Sequence, residues 1–188
     1  MTGRSLTRRP FVYVRHGETD WNRERRCVGQ ADRPLTARGR AQAEAVRSVF
    51  AVMAPATMFH SPLLRAAETA RILARGTQLT LVSEAGLMEA RLGDKEGCRE
   101  DDPQDDFIAR WFGGGAIPNA EAYTDFRARV VAAVNRCLAF EQETVFVAHS
   151  AVYAALADAA GHGIGDIDHC RPHRFSPAAR GWTIEPWL

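Results

Sequence analysis

The chain has 188 residues, 46% of them hydrophobic and 25% charged, with a formal net charge of +1. That length fits one domain with a sizeable core, and the near-neutral balance gives no bulk attraction to nucleic acid or to a membrane surface. No run approaches the roughly 18 apolar residues of a membrane span. Cys27, Cys98, Cys137 and Cys170 lie far apart with no Cys-x-x-Cys pair, which reads as free thiols of a cytoplasmic protein.

Residues 1–9 are polar and basic without an apolar stretch, so they read as a loose tail and not as a secretory signal. Pro10-Phe11-Val12-Tyr13-Val14 is β-branched and aromatic and predicts a buried strand. It stops at Arg15, His16 and Gly17, which suggests a site at the carboxyl end of a parallel sheet. A Gly/Pro-punctuated irregular segment follows to Leu35. Thr36 then caps a helix to about Met53, with Val46, Val49, Phe50 and Met53 on one face. Gly39 is a poor helix former in its first turn.

Thr57–His60 is a short strand, and Ser61-Pro62 reads as N-cap and first residue of the next helix, with Arg65 in its first turn. Leu79–Val82 is a third strand. In the acidic stretch Glu100–Asp106, Asp102-Pro103 predicts a helix start, the helix running to about Phe112 and a glycine triplet. A long helix follows near residues 121–141. Thr144–Ala148 is a fully apolar strand that runs straight into His149, followed by a helix that Gly161 closes. The tail holds weak strands near Arg174-Phe175 and Gly181–Ile184. Strands alternating with helices predict an α/β three-layer sandwich with a mainly parallel central sheet. If the strands before His16 and His149 are neighbours, the two imidazoles face each other across one pocket.

Arg15-His16-Gly17-Glu18-Thr19-x-Trp21-Asn22 resembles the signature of the histidine phosphatase superfamily, which includes the phosphoglycerate mutases. Three further blocks follow in the family's order. They are Gly29-x-x-Asp32-x-Pro34-Leu35-Thr36-x-x-Gly39-x-x-Gln42-Ala43, then Ser61-Pro62-Leu63-Leu64-Arg65-Ala66-Ala67-Glu68-Thr69-Ala70, then Leu87-Met88-Glu89-x-x-x-Gly93-x-x-Glu96-Gly97. Four blocks in order are far more specific than any one of them. The resemblance implies a single phosphoglycerate mutase-like domain over residues 1–188 and a two-histidine site. In that site His16 is the nucleophile, His149 the second histidine, Arg15 and Arg65 the phosphate arginines, and Glu89 the proton donor.

The residue types suit that chemistry. Phosphoryl transfer needs a nucleophile, a proton donor for the leaving oxygen, and positive groups around the equatorial oxygens. A neutral His16 could form a phosphohistidine, provided its other nitrogen donates to a carbonyl or carboxylate that fixes the tautomer. Arg15, Arg65 and His149 could cage the phosphoryl group, with Asn22 and Ser150 as further contacts. Glu89 could protonate the leaving alkoxide and then deprotonate the attacking water, which requires a raised pKa. The scheme requires no metal and no cofactor, and the partner it implies is a small phosphorylated metabolite. Oligomeric state leaves no signal in the sequence.

The chain departs from the family at Val28, Lys95, Ala120, Ala122 and Ser150, positions that bear on substrate contacts and not on the core catalytic groups. Three other readings compete: a phosphoglycerate mutase, a non-catalytic phosphate-binding relative, and a phosphatase acting on phosphohistidine in proteins. The short, acidic segment from Gly97 to Pro118 does not look like the basic insertion of the mutases. Specificity is expected in residues 97–123, a lid-like segment, and acidic groups overhanging the pocket should disfavour highly anionic substrates. Asp101–Asp106 as a divalent-metal cluster and His169-Cys170-x-x-His173 as a ligand set are weaker alternatives to a solvated helix start and a structural tail.

Overall fold

A computed structural model describes residues 5–53, 56–139 and 143–187. In chain order, β1 is Phe11–Arg15, α1 Asp20–Arg23, α2 Ala37–Ala51, β2 Ala56–His60, α3 Leu64–Ala74 and β3 Thr80–Ser83. Then come α4 Phe107–Phe112, α5 Tyr123–Cys137, β4 Glu143–Ala148, α6 Ser150–Ala159, β5 His173–Pro177 and β6 Trp182–Pro186. The six strands form one sheet in the order β3-β2-β4-β1-β5-β6. Strands β3, β2, β4 and β1 are parallel, and β5 and β6 add an antiparallel edge.

The continuous apolar runs of β1 and β4 follow from burial on both faces. Phe11, Tyr13, Phe146 and Ala148 face a cluster built with α4, α5 and α6. Val12, Val14, Val145 and Val147 face the opposite cluster, which α2 and α3 complete. The result is three layers, helices on either side of the sheet, as the alternation of elements predicts.

Several boundaries differ from the sequence reading. Ser61 does not cap α3: the N-cap position is Leu63, with no side-chain bond, and the Ser61 hydroxyl is used elsewhere. Helix α4 starts at Phe107 with Asp106 as its cap, donating partner Ala109 N. Asp102-Pro103 therefore lies outside the helix, although Asp102 still accepts from Gln104 N at 2.9 Å in a local turn. The tail is not loose over its described part. Leu6 is buried, Thr7 N donates to Asn135 Oδ1 at 2.7 Å, and Asn135 Nδ2 donates to Ser5 O at 3.0 Å. A single leucine in a basic stretch carries no periodicity, which is why its burial was not readable. Residues 1–4 and the end of the helix expected to reach residue 141 lie outside the described residues.

Candidate functional site

The pairing of β1 with β4 builds the site. Arg15 lies opposite Ala148 in a parallel register, so the next residue of each strand, His16 and His149, leaves the sheet side by side. His16 N donates to Ala148 O at 2.9 Å, extending the ladder one step. The ring centroids are 5.1 Å apart. Strand β2, on the other side of β4, brings Ser61 to the same end, with Ser61 N donating to Val147 O at 3.0 Å.

The tautomer of His16 is set by its two partners. Gly17 O can only accept, so Nδ1 donates to it at 2.7 Å. Arg65 Nε can only donate, so Nε2, 3.2 Å away, carries the lone pair. Burial, then the Arg65 charge and the neighbouring His149, hold the His16 pKa well below its ordinary value. His16 is therefore a neutral imidazole with an unprotonated Nε2.

Arg65 is fully buried. Its Nη1 donates to Ala31 O at 3.0 Å and its Nη2 to Gly29 O at 2.7 Å. Burial lowers its pKa to about 10, with Glu89 and Asp32 opposing, and it stays cationic at neutral pH. Gly29 has φ +53°, and a Cβ there would lie 2.6 Å or less from the Glu96 side chain. The carbonyl that receives Arg65 thus depends on a glycine conformation.

The loop carrying His16 is pressed against α2. A Cβ on Gly17 would lie 2.4 Å from Gly39 O, and one on Gly39 would lie 2.2 Å from Glu18 O. Gly39 is tolerated in the first turn because the two backbones touch there. Thr69 of α3 accepts from Gly17 N at 3.1 Å and donates to Arg65 O at 2.7 Å, tying the loop to the arginine helix.

His149 is also buried and its pKa is lowered, first by burial and then by Arg65 and Arg15. Its Nε2 lies 2.8 Å from Ser61 Oγ. Ser61 Oγ also accepts from Leu63 N at 3.3 Å; in the tautomer in which the Ser61 hydroxyl donates to Nε2, the ring proton sits on Nδ1. That Nδ1 is buried with no protein partner among the described residues, as is Arg15 Nε. Arg15 Nη1 is bonded to Ile167 O at 2.8 Å and lies 3.6 Å from Asp166. Arg15 lines the cavity and His149 lies behind it beside His16, so both unpartnered atoms belong to side chains around the nucleophile.

Glu89 lines the same cavity, which encloses about 150 Å³. Its Oε1 accepts from Ala90 N at 2.9 Å and its Oε2 from Ala151 N at 3.2 Å. Burial raises its pKa, against the two N–H donors and the Arg65 charge. Arg129 of α5 holds the segment from behind, donating to Gly86 O and Met88 O at 3.0 Å each and pairing with Glu121 at 2.7 Å. Glu121 in turn accepts from Arg91 N at 2.8 Å.

Of the residues expected at the site, Arg15, His16, Asn22, Arg65, Glu89 and Ser150 line the cavity, and His149 stands beside His16. Two have other duties. Asn22 Oδ1 accepts from Thr19 N and Thr19 Oγ1 in a capping box that forms α1, leaving its Nδ2 as the available donor. Ser150 donates to Asp166 Oδ1 at 2.6 Å. Three groups were not foreseen: Arg129, Ser61 in its bond to His149, and His169. His169 Nδ1 donates to His16 O at 2.7 Å and its ring lies 5.5 Å from that of His16. The only sequence signal at His169 was its spacing to Cys170 and His173, which pointed to a metal. His173 instead lies in β5, opposite Tyr13. The acidic run is not gathered either: Asp101 pairs with Arg99 and Arg25, and Asp105 with Lys95 and Arg110.

A carboxyl-end cleft with paired histidines, a buried arginine and a second, partly buried one defines a phosphate-handling class of α/β protein. The profile of the histidine phosphatase superfamily (branch 1) matches residues 11–184, and the chain belongs to that superfamily. It is similar to "Probable phosphoglycerate mutase GpmB" of Enterobacter sp. (strain 638), with 35% identity over 131 residues, 66% of this chain and 61% of that protein. The match thus spans about three fifths of that relative's length. Among solved structures, mycobacterial glucosyl-3-phosphoglycerate phosphatase complexed with VO3 superposes with a TM-score of 0.82 at 29% identity, covering 95% of this chain and 98% of that one. YhfR of Bacillus stearothermophilus superposes with a TM-score of 0.82 at 27% identity, covering 95% and 96%. Among the described residues no helix is long and apolar enough to cross a membrane.

Proposed function

We propose that this chain is a phosphomonoester hydrolase that works through a phosphohistidine on His16 and needs no metal. The observation that carries the reading is the state of His16: a neutral ring, Nδ1 tied to Gly17 O, with the Nε2 lone pair among Arg65, Arg15 and His149. A phosphoryl group placed there would be bound by Arg65, Arg15 Nε and His149 Nδ1, the last two lacking partners now. Positive side chains supply the charge stabilisation that the transition state requires.

In the first step His16 Nε2 attacks phosphorus and the ester P–O bond breaks. Glu89, protonated, gives its proton to the departing oxygen, which leaves as the alcohol. In the second step water attacks the phosphohistidine while Glu89, now a carboxylate, takes the water proton. The P–N bond breaks, phosphate leaves, and His16 is neutral again. The raised pKa of Glu89 suits both roles. The similarity to a named phosphatase over nearly the whole chain supports hydrolysis.

The test is turnover of an aryl phosphate in excess EDTA, beside His16→Ala. Expected is activity that survives EDTA, disappears in the variant, and passes through an acid-labile phosphoenzyme on His16. Activity abolished by EDTA, or retained by His16→Ala, overturns the mechanism. The similarity to a protein named as a mutase favours a second reading, phosphoryl transfer between two hydroxyls of phosphoglycerate. Isotope exchange between the two positions separates the readings.

A further inference from the structure

The cavity beside the reacting groups has a lopsided lining. The phosphate end is cationic, as described. The opposite end is roofed by α4, whose Phe107, Ile108, Trp111 and Phe112 all line it, with Leu92 on the adjoining segment. The roof is firmly built. Trp111 and Phe107 are buried, Trp111 Nε1 donates to Glu121 O at 2.8 Å, and the Phe112 ring packs edge-on against Tyr123 at 5.2 Å. Lys95 lies 5.3 Å over the Phe107 ring and pairs with Asp105, which also pairs with Arg110. Those cations are thereby committed to the roof and not to a ligand.

The charge at the mouth has the opposite sign to the phosphate end. Glu100 lines both this cavity and the adjoining groove, and no cation pairs with it among the described residues. It faces Cys27, whose thiol burial and Glu100 together push up to about 12. Asp106 and Asp166 line the groove beyond together with Arg15, whose Nη1 is held by Ile167 O and lies 3.6 Å from Asp166. Arg26, a basic residue at the cavity, is taken up by Glu24 at 2.9 Å and Gly97 O at 2.8 Å.

We infer that the site is selective for phosphomonoesters of apolar, ring-bearing alcohols with no second anionic group, and that Glu100 is a residue that sets this selectivity. The inference rests on the phosphomonoesterase reading above and narrows it. The phosphate of such an ester sits on Arg65 and Arg15, its ring lies against Ile108 and Phe112, and its far end meets Glu100. Apolar contact rewards the ring. A carboxylate or second phosphate at the same place stands against Glu100, while at the cavity Arg15 is engaged with Ile167 O and the substrate phosphate, and Arg26 with Glu24 and Gly97 O. The phosphoglycerates, which carry a second anion, are disfavoured by that charge pattern.

The experiment compares kcat/KM for 2-(1-naphthyl)ethyl phosphate, glycerol 2-phosphate and 3-phosphoglycerate, all alkyl esters with similar leaving groups, in the parent chain and in Glu100→Lys. The expected order is the naphthylethyl ester, then glycerol 2-phosphate, then 3-phosphoglycerate, with about 100-fold between first and last. Glu100→Lys should narrow that ratio about tenfold by raising the 3-phosphoglycerate value. Glu100 is on the surface, so the variant should fold. Equal or better use of 3-phosphoglycerate by the parent, or a ratio unmoved by Glu100→Lys, overturns the inference and leaves the hydrolase reading standing. Binding of the same three compounds to His16→Ala by calorimetry separates the two claims. If none is hydrolysed, the hydrolase reading falls, and tighter binding of 2-(1-naphthyl)ethyl phosphate than of 3-phosphoglycerate still supports the pocket assignment, while the reverse order overturns it.

Discussion

Arg65 Nε lies 3.2 Å from His16 Nε2, so the proposed nucleophile rests against a cation and not against a base. The same guanidinium uses its other two nitrogens on Ala31 O and Gly29 O. One side chain therefore keeps the imidazole unprotonated, points it, and fixes the loop between α1 and α2. The buried charge is tolerated because every nitrogen has an acceptor.

Lysine cannot reproduce that fork. Arg65→Lys should lower kcat/KM for an aryl phosphate by about 1,000-fold and destabilise the fold by about 2–4 kcal/mol, since Gly29 O and Ala31 O lose their donors. Steady-state kinetics beside urea denaturation checks both. Activity within a factor of three of the parent would show that the arginine is structural only.

The pH profile follows from two shifts of opposite kind. His16 must be neutral to attack, and its pKa is held well below the ordinary value, so activity should persist as pH falls through the range in which a free imidazole becomes protonated. Glu89 must be protonated to assist the leaving group, and its pKa is raised, so activity should fall as pH rises through that raised value. The expected kcat/KM profile is bell-shaped with an acidic optimum. Glu89→Gln should remove the alkaline limb and lower the rate by about 100-fold or more for a substrate with a poor leaving group. A rate that climbs steadily toward alkaline pH is incompatible with Glu89 as the acid.

Much of this was legible because the relevant signals are local in sequence. Phe11–Val14 and Thr144–Ala148 are apolar on both faces, and each ends at once in a histidine. Their neighbourhood in the sheet had only to be conditional, and the parallel register supplied it. Arg65 and Glu89 were identifiable only as members of a family block, since each alone reads as a surface charge. What stayed hidden depends on tertiary approach. Arg129 reaches across from α5 to the carbonyls before Glu89, and Ser61 looked like a helix cap while it serves His149. The start of α4 was misplaced because two Asp residues four apart both offer caps, and packing of Phe107 and Trp111 selects the later one.

His169 carries a further consequence. Its Nδ1 donates to His16 O, and burial, then Arg15, lowers its pKa to about 4. A folded pKa below the unfolded one means that stability is fully present above about 6.5 and is lost as pH falls toward 4. His16 and His149 are shifted the same way, so they too lose stability on acidification. His169→Asn keeps a donor for His16 O but cannot titrate. It should lose about 2 kcal/mol less than the parent between pH 7 and pH 4, after allowance for the partial exposure of His169. Urea midpoints at the two pH values measure this, and equal losses would remove His169 from the acid response.

The contact between Gly17 and Gly39 gives a prediction whose sign is contrary to helix propensity. Alanine at position 39, inside the first turn of α2, should by propensity stabilise the helix by about 1 kcal/mol. Its Cβ would instead lie 2.2 Å from Glu18 O and 2.8 Å from Glu18 N, both backbone atoms that cannot rotate away. Gly39→Ala should therefore destabilise by about 3 kcal/mol. It should also lower kcat, because the displaced loop carries Gly17 O, the acceptor that sets the His16 tautomer. An exposed control, Gly114→Ala, has no atom within 4 Å of its Cβ but has φ +89°, so any loss there reports backbone strain alone. Thermal denaturation of the two variants separates contact from conformation. A Gly39→Ala protein as stable as the parent would mean that the His16 loop can move away from α2, and the rigid placement of the histidine would have to come from Thr69 and the β1–β4 ladder instead.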